Sequence, residues 1–194
     1  MIKSLYFKTV LVLCFSVCIG IAAVASEHFA DISQGKRTKL ELYVTAKEAY
    51  ALWQQDSSTV KIIDCRTPEE YAFTGHAPMA FNIPSAFMTH RFDVVNRHYV
   101  MRLNPNFIKL VTGRFNPNQT LLILCRSGQR SAWAVNQLAQ IGWRRVYNVT
   151  DGFEGDVLDK PGDPEHGRRV VNGWKNSGLP WTFALNPDLV YKSE

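Results

Sequence analysis

The chain has 194 residues, of which 46% are apolar and 20% are charged, and its formal net charge is +5 at pH 7. This length suits one compact domain and is short for two. The composition is that of a globular protein, which excludes a fibrous or disordered chain. The positive charge is small and scattered along the sequence, so it does not predict nucleic-acid binding.

The first 25 residues have the pattern of a secretory signal peptide. Lys3 and Lys8 form a basic start, an apolar stretch continues to Val24, and Ala23–Ala25 offers a small-x-small cleavage site. The apolar stretch is shorter than the roughly 20 residues that a membrane-spanning helix needs. We therefore expect residues 1–25 to be a cleaved signal, with a retained membrane anchor as the alternative.

Cleavage predicts a periplasmic or secreted protein that begins at Ser26 and is not held in a membrane. Its formal charge falls to +3, because two lysines and no acidic residue are lost. Of the four cysteines, Cys65 and Cys125 remain. Two cysteines in an exported protein commonly form a disulfide, although the surroundings of Cys125 favour a reactive thiol.

Strands and helices alternate along the mature chain, which predicts an α/β fold with a mainly parallel sheet and helices on both faces. We expect a polar leader at 26–40, a domain at 41–182 and a C-terminal tail at 183–194. The predicted elements are a strand at 42–44, a helix at 45–55, a strand at 60–64, a helix from 67, a strand at 80–84, a helix from 104 to 112, a strand at 120–124, a helix at 131–141, a strand at 146–149 and a short helix at 172–176.

Capping signals and apolar runs carry these predictions. Thr45–Glu48 and Thr67–Glu70 both match a capping box, and the second also has proline at the first helical position. Thr120–Leu124 (TLLIL) is a continuous apolar run, which is typical of a central strand covered on both faces. Ser85–Arg102 is rich in aromatic, His and Arg residues and has only weak periodicity, so it predicts no definite element.

The segment Cys125–Arg130 (CRSGQR) lies between this apolar strand and the next helix. The N-terminus of a helix presents unpaired N–H groups, and a tight loop with Gly128 can turn several of them toward one point. Such a loop binds an anion. We therefore expect the Cys125 sulfur to lie above a ring of N–H groups, with Arg126 and Arg130 adding positive charge.

These surroundings predict a thiol whose pKa is depressed, so that the nucleophilic thiolate forms near neutral pH. The alternative is a buried structural cysteine before an ordinary capped helix. Apolar burial would raise the thiol pKa and would not require two arginines, which favours the reactive cysteine.

Two blocks of sequence resemble the rhodanese-like sulfurtransferase family. Cys125–Ser131 (CRSGQRS) is similar to the active-site loop of that family, and Ile62–Pro84 is similar to its Asp-x-Arg, Glu-Tyr, Gly-His-x-Pro and Asn-x-Pro block. Gly178–Pro180 (GLP) also fits, so that the resemblance covers residues 41–182. It implies an open, mainly parallel, five-stranded sheet flanked by helices on both faces.

The resemblance implies an enzyme that needs no cofactor and no metal. Cys125 would take sulfane sulfur from an anionic donor such as thiosulfate, hold it as a persulfide, and pass it to cyanide or to a thiol, possibly on a protein. The residues expected to bind the substrate are Arg126, Ser127, Gly128, Gln129 and Arg130. Asp64, Arg66 and Ser131 are expected to support the loop, with Asp64 accepting loop amides and Arg66 pairing with Glu69 or Glu70.

Loop length and two departures refine this expectation. Four residues separate Cys125 from Arg130, whereas related phosphatases and arsenate reductases have one more, so phosphatase activity is disfavoured. Residues 151–156 replace the Gly-Gly-x-x-x-Trp segment that is frequent in the family, and Ser85–Arg102 is longer than a minimal domain requires. A second hypothesis is therefore a sulfur-delivery or binding module that docks on a partner through Ser85–Arg102.

Cys65 and the histidines are secondary candidates. Cys65 is open to two interpretations: a resolving thiol for Cys125, or a small buried apolar residue. Strand alternation favours the second, because we expect Cys65 to point away from the loop. His76 is expected in a turn with its ring hydrogen-bonded, and the remaining histidines lack metal-ligand spacing.

Overall fold

The computed structural model describes residues 32–193. The predicted signal peptide and the start of the predicted leader lie outside these residues. The elements below all belong to one compact unit, Gln34–Glu194. None of the helices formed by residues 32–193 has the length and apolar character needed to cross a membrane.

Eleven elements follow a short 3-10 turn at Gln34–Lys36. The strands are β1 (Tyr43–Val44), β2 (Val60–Asp64), β3 (Phe81–Asn82), β4 (Ala86–Asp93), β5 (His98–Leu103), β6 (Thr120–Leu124) and β7 (Val146–Val149). The helices are α1 (Ala46–Gln55), α2 (Pro68–Phe73), α3 (Phe107–Thr112) and α4 (Gln129–Gln140). Both predicted capping boxes form, at the N-termini of α1 and α2.

The predicted five-stranded sheet is confirmed. Its strand order is β1-β7-β6-β2-β3, and all four pairings are parallel. β6 lies at the centre and is buried along its whole length, as its apolar sequence predicts. The register pairs Asp64 at the end of β2 with Leu124 at the end of β6. The carboxyl ends of the two strands therefore meet at one edge of the sheet, where sites form in open α/β folds.

Each face of the sheet carries its own apolar core. One core joins alternate residues of β2 and β6, such as Ile63 and Ile123, to apolar side chains of α3 and α4. The other joins the intervening residues, such as Ile62 and Leu122, to α1 and to the buried Trp174. Helices thus cover both faces of the sheet, as predicted.

Residues 85–103 form a β-hairpin that the sequence did not predict. β4 and β5 pair antiparallel, with an irregularity between Met88 and Phe92, and form a two-stranded sheet separate from the main one. Large apolar side chains remain exposed on it, including Met88, Phe92 and Tyr99. Because neither face of the hairpin is fully buried, its apolar residues do not alternate cleanly, and the period-2 pattern of a strand is lost.

Three boundaries differ from the predictions. The helix predicted at 172–176 is a series of turns, since Gly173 has φ +91 and breaks helical continuity. α3 begins at Phe107 after Asn106, and α4 begins at Gln129 inside the predicted loop. α3 begins later than predicted because the Asn104 side chain accepts the N–H of Asn106 in a turn (3.0 Å). α4 begins earlier than predicted because Gln129 and Arg130 already belong to the helix that follows Gly128.

The predicted leader and tail both pack on the domain. Lys36 forms an ion pair with Asp156 (2.8 Å), and its carbonyl accepts a hydrogen bond from the Asn148 side chain (2.9 Å). In the tail, the Leu189 carbonyl accepts the N–H of Asn82 on β3 (2.8 Å). The packed unit is therefore wider than residues 41–182.

Candidate active site

The loop after β6 brings Cys125 to the N-terminus of α4. Gly128 is the N-cap residue and has φ +94, a conformation that other residues rarely adopt. A Cβ on Gly128 would lie 2.2 Å from the Thr150 carbonyl oxygen. Glycine is thus required at this position by both backbone angle and space, as the sequence predicts.

The Cys125 sulfur is held by donors from this loop. The Gly128 N–H donates to Cys125 Sγ (3.2 Å), and the Ser131 hydroxyl lies 3.5 Å from it. Cys125 is buried. The sulfur therefore accepts a loop N–H, that of Gly128, as the sequence predicts. Ser131 was expected only to support the loop, but its hydroxyl contacts the sulfur directly.

The pKa of the Cys125 thiol lies well below its ordinary value. Burial raises this pKa, but a hydrogen bond from Cys65, the charge of Arg130 and hydrogen bonds from Ser131 together lower it further than burial raises it. The thiolate, which is the nucleophilic form of cysteine, is therefore favoured over the thiol more than in an ordinary cysteine.

Arg130 is engaged by a carboxylate. Its guanidinium forms a bidentate pair with Glu70, with both N···O distances 2.6 Å. Burial raises the pKa of Glu70, but the bond to Arg130 lowers it overall, so the pair is ionised. Glu70 thus accepts one N–H from each terminal nitrogen of this guanidinium, which has five N–H donors in all. A direct contact between Arg130 and the donor stays a prediction. The charge of Arg130 acts on Cys125.

Arg126, in the loop, and Arg169, in the segment after β7, are two cations whose charges act on each other. Arg126 is exposed, Ser127 is half-buried and Gln129 is exposed. Burial lowers the pKa of Arg169, and the charge of Arg126 lowers it further, so the two guanidinium groups lie near each other. Arg169 was missed from the sequence, because it lies in an aperiodic stretch that gives no indication of its position.

Asp64 and Arg66 form a fully buried ion pair (2.6 Å), and neither side chain is exposed. Arg66 also donates to the Gly75 carbonyl (2.8 Å) and lies over the Phe153 ring at 4.1 Å. Two expectations are therefore wrong: Asp64 accepts from Arg66 rather than from loop amides, and Arg66 pairs with Asp64 rather than with Glu69 or Glu70. The close i,i+2 pair satisfies both charges locally, and it fixes the turn after β2.

The segment after β7 packs against the loop that contains Cys125 and hydrogen-bonds to its backbone. The Phe153 N–H donates to the Cys125 carbonyl (2.8 Å), and the Glu154 N–H donates to the Arg126 carbonyl (3.0 Å). The side chain of Asp151, in the same segment, accepts the N–H groups of Ala46 and Gly173. Residues 151–156, which depart from the family pattern, thus position the loop backbone.

Cys65 lies on the same face of the sheet as Cys125. Both belong to the core that contains Ile63 and Ile123, and Cys65 directly follows the register pair Asp64–Leu124. The Cys65 side chain lies close enough to Cys125 to lower the pKa of its thiol. The expectation that Cys65 points away is therefore wrong, since the paired strands place equivalent positions on one face.

Among residues 32–193, no histidine takes part in the contacts of the Cys125 sulfur described above. His76 is buried, stacks on Tyr71 with ring centroids 3.7 Å apart, and bonds to the Tyr71 carbonyl through Nδ1 (3.0 Å). Its ring is thus hydrogen-bonded in a turn, as expected. Within residues 32–193, no three or more His, Cys, Asp or Glu side chains are grouped to hold a metal ion.

A profile of the Rhodanese-like domain matches residues 45–157 of the chain. The chain belongs to the rhodanese-like family. The matched region of this rhodanese-like chain includes the Asp64–Arg66 ion pair, the Cys125 loop and the segment 151–156 that packs on this loop.

Known proteins agree with this membership. A chloroplastic protein of Arabidopsis thaliana named thiosulfate sulfurtransferase 16 is 30% identical over 120 residues, which cover 62% of this chain and 78% of that protein. The uncharacterised protein RP600 of Rickettsia prowazekii is 31% identical over 122 residues, covering 63% of this chain and 82% of that one. The crystal structure of Rv0390 from M. tuberculosis superposes with a TM-score of 0.55 at 26% identity, covering 73% of this rhodanese-like chain and 96% of that structure.

Proposed function

We propose that this protein is a sulfurtransferase that carries sulfane sulfur on Cys125. The observation that carries the proposal is the Cys125 sulfur itself, which is buried against the Gly128 N–H and the Ser131 hydroxyl with its pKa held low. A thiolate in this setting is a nucleophile, and the same donors stabilise the negative charge of a persulfide.

The exposed guanidinium of Arg126, with Arg169 nearby, favours a small anionic donor such as thiosulfate. The Cys125 thiolate attacks the outer sulfur of thiosulfate, a new S–S bond forms, and sulfite leaves with the electron pair of the broken bond. The product is a Cys125 persulfide anion. Cyanide or a thiolate then attacks the terminal sulfur, which gives thiocyanate or a new persulfide and restores the Cys125 thiolate.

The state of Arg130 argues against phosphate chemistry in the same loop. A phosphatase of this architecture would need its loop arginine to bracket the phosphate, and here Glu70 occupies both ends of that guanidinium at 2.6 Å. The short loop, with four residues between Cys125 and Arg130, supports the same conclusion. The name of the Arabidopsis relative, thiosulfate sulfurtransferase 16, adds support for the proposed donor.

A thiosulfate:cyanide assay with the wild type and Cys125→Ser tests the proposal. We expect turnover in the wild type and a loss of at least about 10³-fold in the variant, since the nucleophile is removed. Ser58→Ala, at an exposed serine before β2 and at the opposite end of that strand from Cys65, is the control and should retain turnover. Equal turnover in wild type and Cys125→Ser would contradict the proposal.

The signal-like pattern of residues 1–25 supports a site of action in a periplasm or outside the cell. Fractionation of cells that express the full chain, with detection of a product shortened at Ser26, tests this. Recovery of uncut protein in the cytoplasm would contradict it.

The exposed hairpin favours a second candidate function, a module that delivers bound sulfur to a partner protein. The apolar side chains that it exposes by more than one third are Met88, Phe92, Val94, Val95, Tyr99 and Leu103, and exposed apolar patches mark interaction surfaces. Persulfide formation on Cys125 without thiosulfate:cyanide turnover would favour this module over the enzyme.

A further inference from the structure

The two cysteines of the mature chain occupy equivalent positions on neighbouring strands. Asp64 and Leu124 are register partners, and Cys65 and Cys125 are the next residues along β2 and β6. The Cys65 N–H donates to the Leu124 carbonyl (2.8 Å), so the ladder continues beyond the register pair. The backbones at the two cysteines are therefore held side by side.

This arrangement has the spacing of a disulfide. Neighbouring strands lie about 4.8 Å apart, and the Cα atoms of disulfide-bonded cysteines are usually about 4.4–6.8 Å apart. Both side chains lie on one face of the sheet, in the same core, and both are free thiols. An S–S bond between them needs no movement of either strand.

Burial restricts what Cys65 can react with. The residue is fully buried, and its carbonyl accepts both the N–H and the hydroxyl of Ser85 (3.1 Å each). Its thiol lies in the same buried cluster as the Cys125 thiol, close enough for each to act on the pKa of the other. Burial raises the pKa of Cys65, so that it remains a thiol beside the Cys125 thiolate.

We propose that Cys65 is a resolving thiol, which converts the sulfur bound on Cys125 into hydrogen sulfide. This inference rests on the proposed function, because the persulfide on Cys125 is its starting point. It adds a reductive outcome to a site that otherwise only transfers sulfur.

The step balances without an external oxidant. The Cys65 sulfur attacks Cys125 Sγ, the Cys65–Cys125 bond forms, and the bond from Cys125 Sγ to the terminal sulfur breaks. The terminal sulfur leaves with the electron pair and takes the proton of the Cys65 thiol, as HS⁻. The two cysteines are oxidised to a disulfide, and the sulfane sulfur is reduced to sulfide.

A further cycle needs a dithiol reductant from outside the protein. It attacks the disulfide at the Cys125 sulfur, which lies in the loop that also admits the donor, and Cys65 leaves. The second thiol of the reductant then attacks the mixed disulfide, and Cys125 leaves as the thiolate. Both cysteines are reduced again and can take part in another cycle.

The test uses reduced protein incubated anaerobically with thiosulfate, after which the donor is removed and no reductant is added. We expect the wild type to release one sulfide per chain. Its intact mass should end two hydrogens below that of the reduced protein, and peptide mapping should find the peptides that contain Cys65 and Cys125 joined by a disulfide. Cys65→Ser keeps a hydrogen-bond donor beside Cys125, and it should retain one added sulfur atom and release no sulfide. Ser85→Ala, which leaves the thiol in place, is the matched control and should behave as the wild type.

Each outcome has a distinct meaning. A wild type that holds its added sulfur as long as Cys65→Ser does would overturn the resolving role and leave the proposed function intact. Failure of the wild type, Cys65→Ser and Cys65→Ala alike to take up sulfur from thiosulfate would overturn the proposed function and this inference with it. A disulfide that forms equally without thiosulfate would also overturn the resolving role, because the persulfide would not be its source.

Discussion

Two neighbouring strands, β2 and β6, are followed by the same dipeptide, Cys-Arg, but the pKa values of the two cysteines shift in opposite directions. Cys65-Arg66 follows β2, and Cys125-Arg126 follows β6, in equivalent register positions. The pKa is raised by burial at Cys65, whereas at Cys125 hydrogen bonds and charge overcome burial and lower it. The residue type alone therefore does not determine reactivity.

The first cause of the difference is the cap of the following helix. Thr67 and Glu70 form a capping box on α2, so side chains occupy N–H groups at its N-terminus. α4 begins at Gln129, and its N-cap residue Gly128 has no side chain that could cap the helix, so the Gly128 N–H is left for the Cys125 sulfur. An uncapped helix N-terminus is what makes the second loop an anion site.

The second cause is the residue that precedes each dipeptide. Asp64 stands before Cys65 and forms a buried pair with Arg66. Its register partner before Cys125 is Leu124, which offers no charge, and Arg126 is exposed. Arg66 thus stabilises the fold, whereas the side chain of Arg126 is accessible from solvent.

The largest effect should come from Arg66→Met. It leaves the Asp64 carboxylate buried without a partner, which should lower the free energy of unfolding by about 3–5 kcal/mol in urea denaturation. Arg126→Met is the matched control and should change it by no more than about 0.5 kcal/mol. The double variant Asp64→Leu/Arg66→Met removes both charges and puts at position 64 the leucine that β6 has at position 124. It should regain part of the lost stability. Equal stability of the two single variants would remove the contrast between the arginines.

Gly128→Ala should have the next largest effect. The added Cβ meets the Thr150 carbonyl oxygen at 2.2 Å and strains a residue with φ +94, so we expect a loss of about 3 kcal/mol from strain and overpacking together. Gly142→Ala is a matched control, since φ is +96 there but nothing lies within 4 Å of the new Cβ. It should lose only the strain, about 1–2 kcal/mol. Similar losses at both sites would show that the close approach to Thr150 is unimportant.

Arg126→Gln should weaken donor binding without changing the fold. We expect the KM for thiosulfate to rise roughly 10-fold, about 1.4 kcal/mol, with little change in kcat. Arg97→Gln removes a charge from the hairpin, far along the chain from the loop, and should leave KM unchanged. A fall in kcat at constant KM would instead place Arg126 in the chemical step.

The smallest effect should appear in the pH dependence of alkylation. Because the pKa of Cys125 lies well below 9, its reaction with iodoacetamide should persist as the pH falls through neutrality, and decline only below the folded pKa. Cys65→Ala removes a hydrogen bond to the thiolate, so it should raise this midpoint and slow alkylation a few-fold at neutral pH. Rates followed by mass spectrometry check both points. An unchanged midpoint would mean that the Cys65 thiol does not act on Cys125.

The sequence predicts the parts of this site that depend on local order. The capping boxes at Thr45 and Thr67, the apolar β6 strand and the need for Gly128 all follow from neighbouring residues, and all are found in the structure. The α/β fold with its parallel sheet follows from the alternation of these elements.

Contacts between distant segments could not be predicted in the same way. Glu70 and Arg130 are 60 residues apart, and no pattern in either segment indicates their pairing. The face of Cys65 was predicted wrongly because alternation orders side chains within one strand only. Register between β2 and β6, set by packing of the whole sheet, decides which side chains meet.

The hydrogen bond from the Asn82 N–H to the Leu189 carbonyl bears on whether copies of this protein associate through the edges of their sheets. β3 is the outermost strand of the sheet, and an open outer strand is a template on which another chain can add. The tail occupies that side of β3, and the ring of Tyr191 anchors it against Phe87 of the hairpin (centroids 5.5 Å apart). The segment around Leu189 thus covers this edge of the sheet. We expect a protein cut after residue 182 to expose the free edge of β3 and to self-associate more readily.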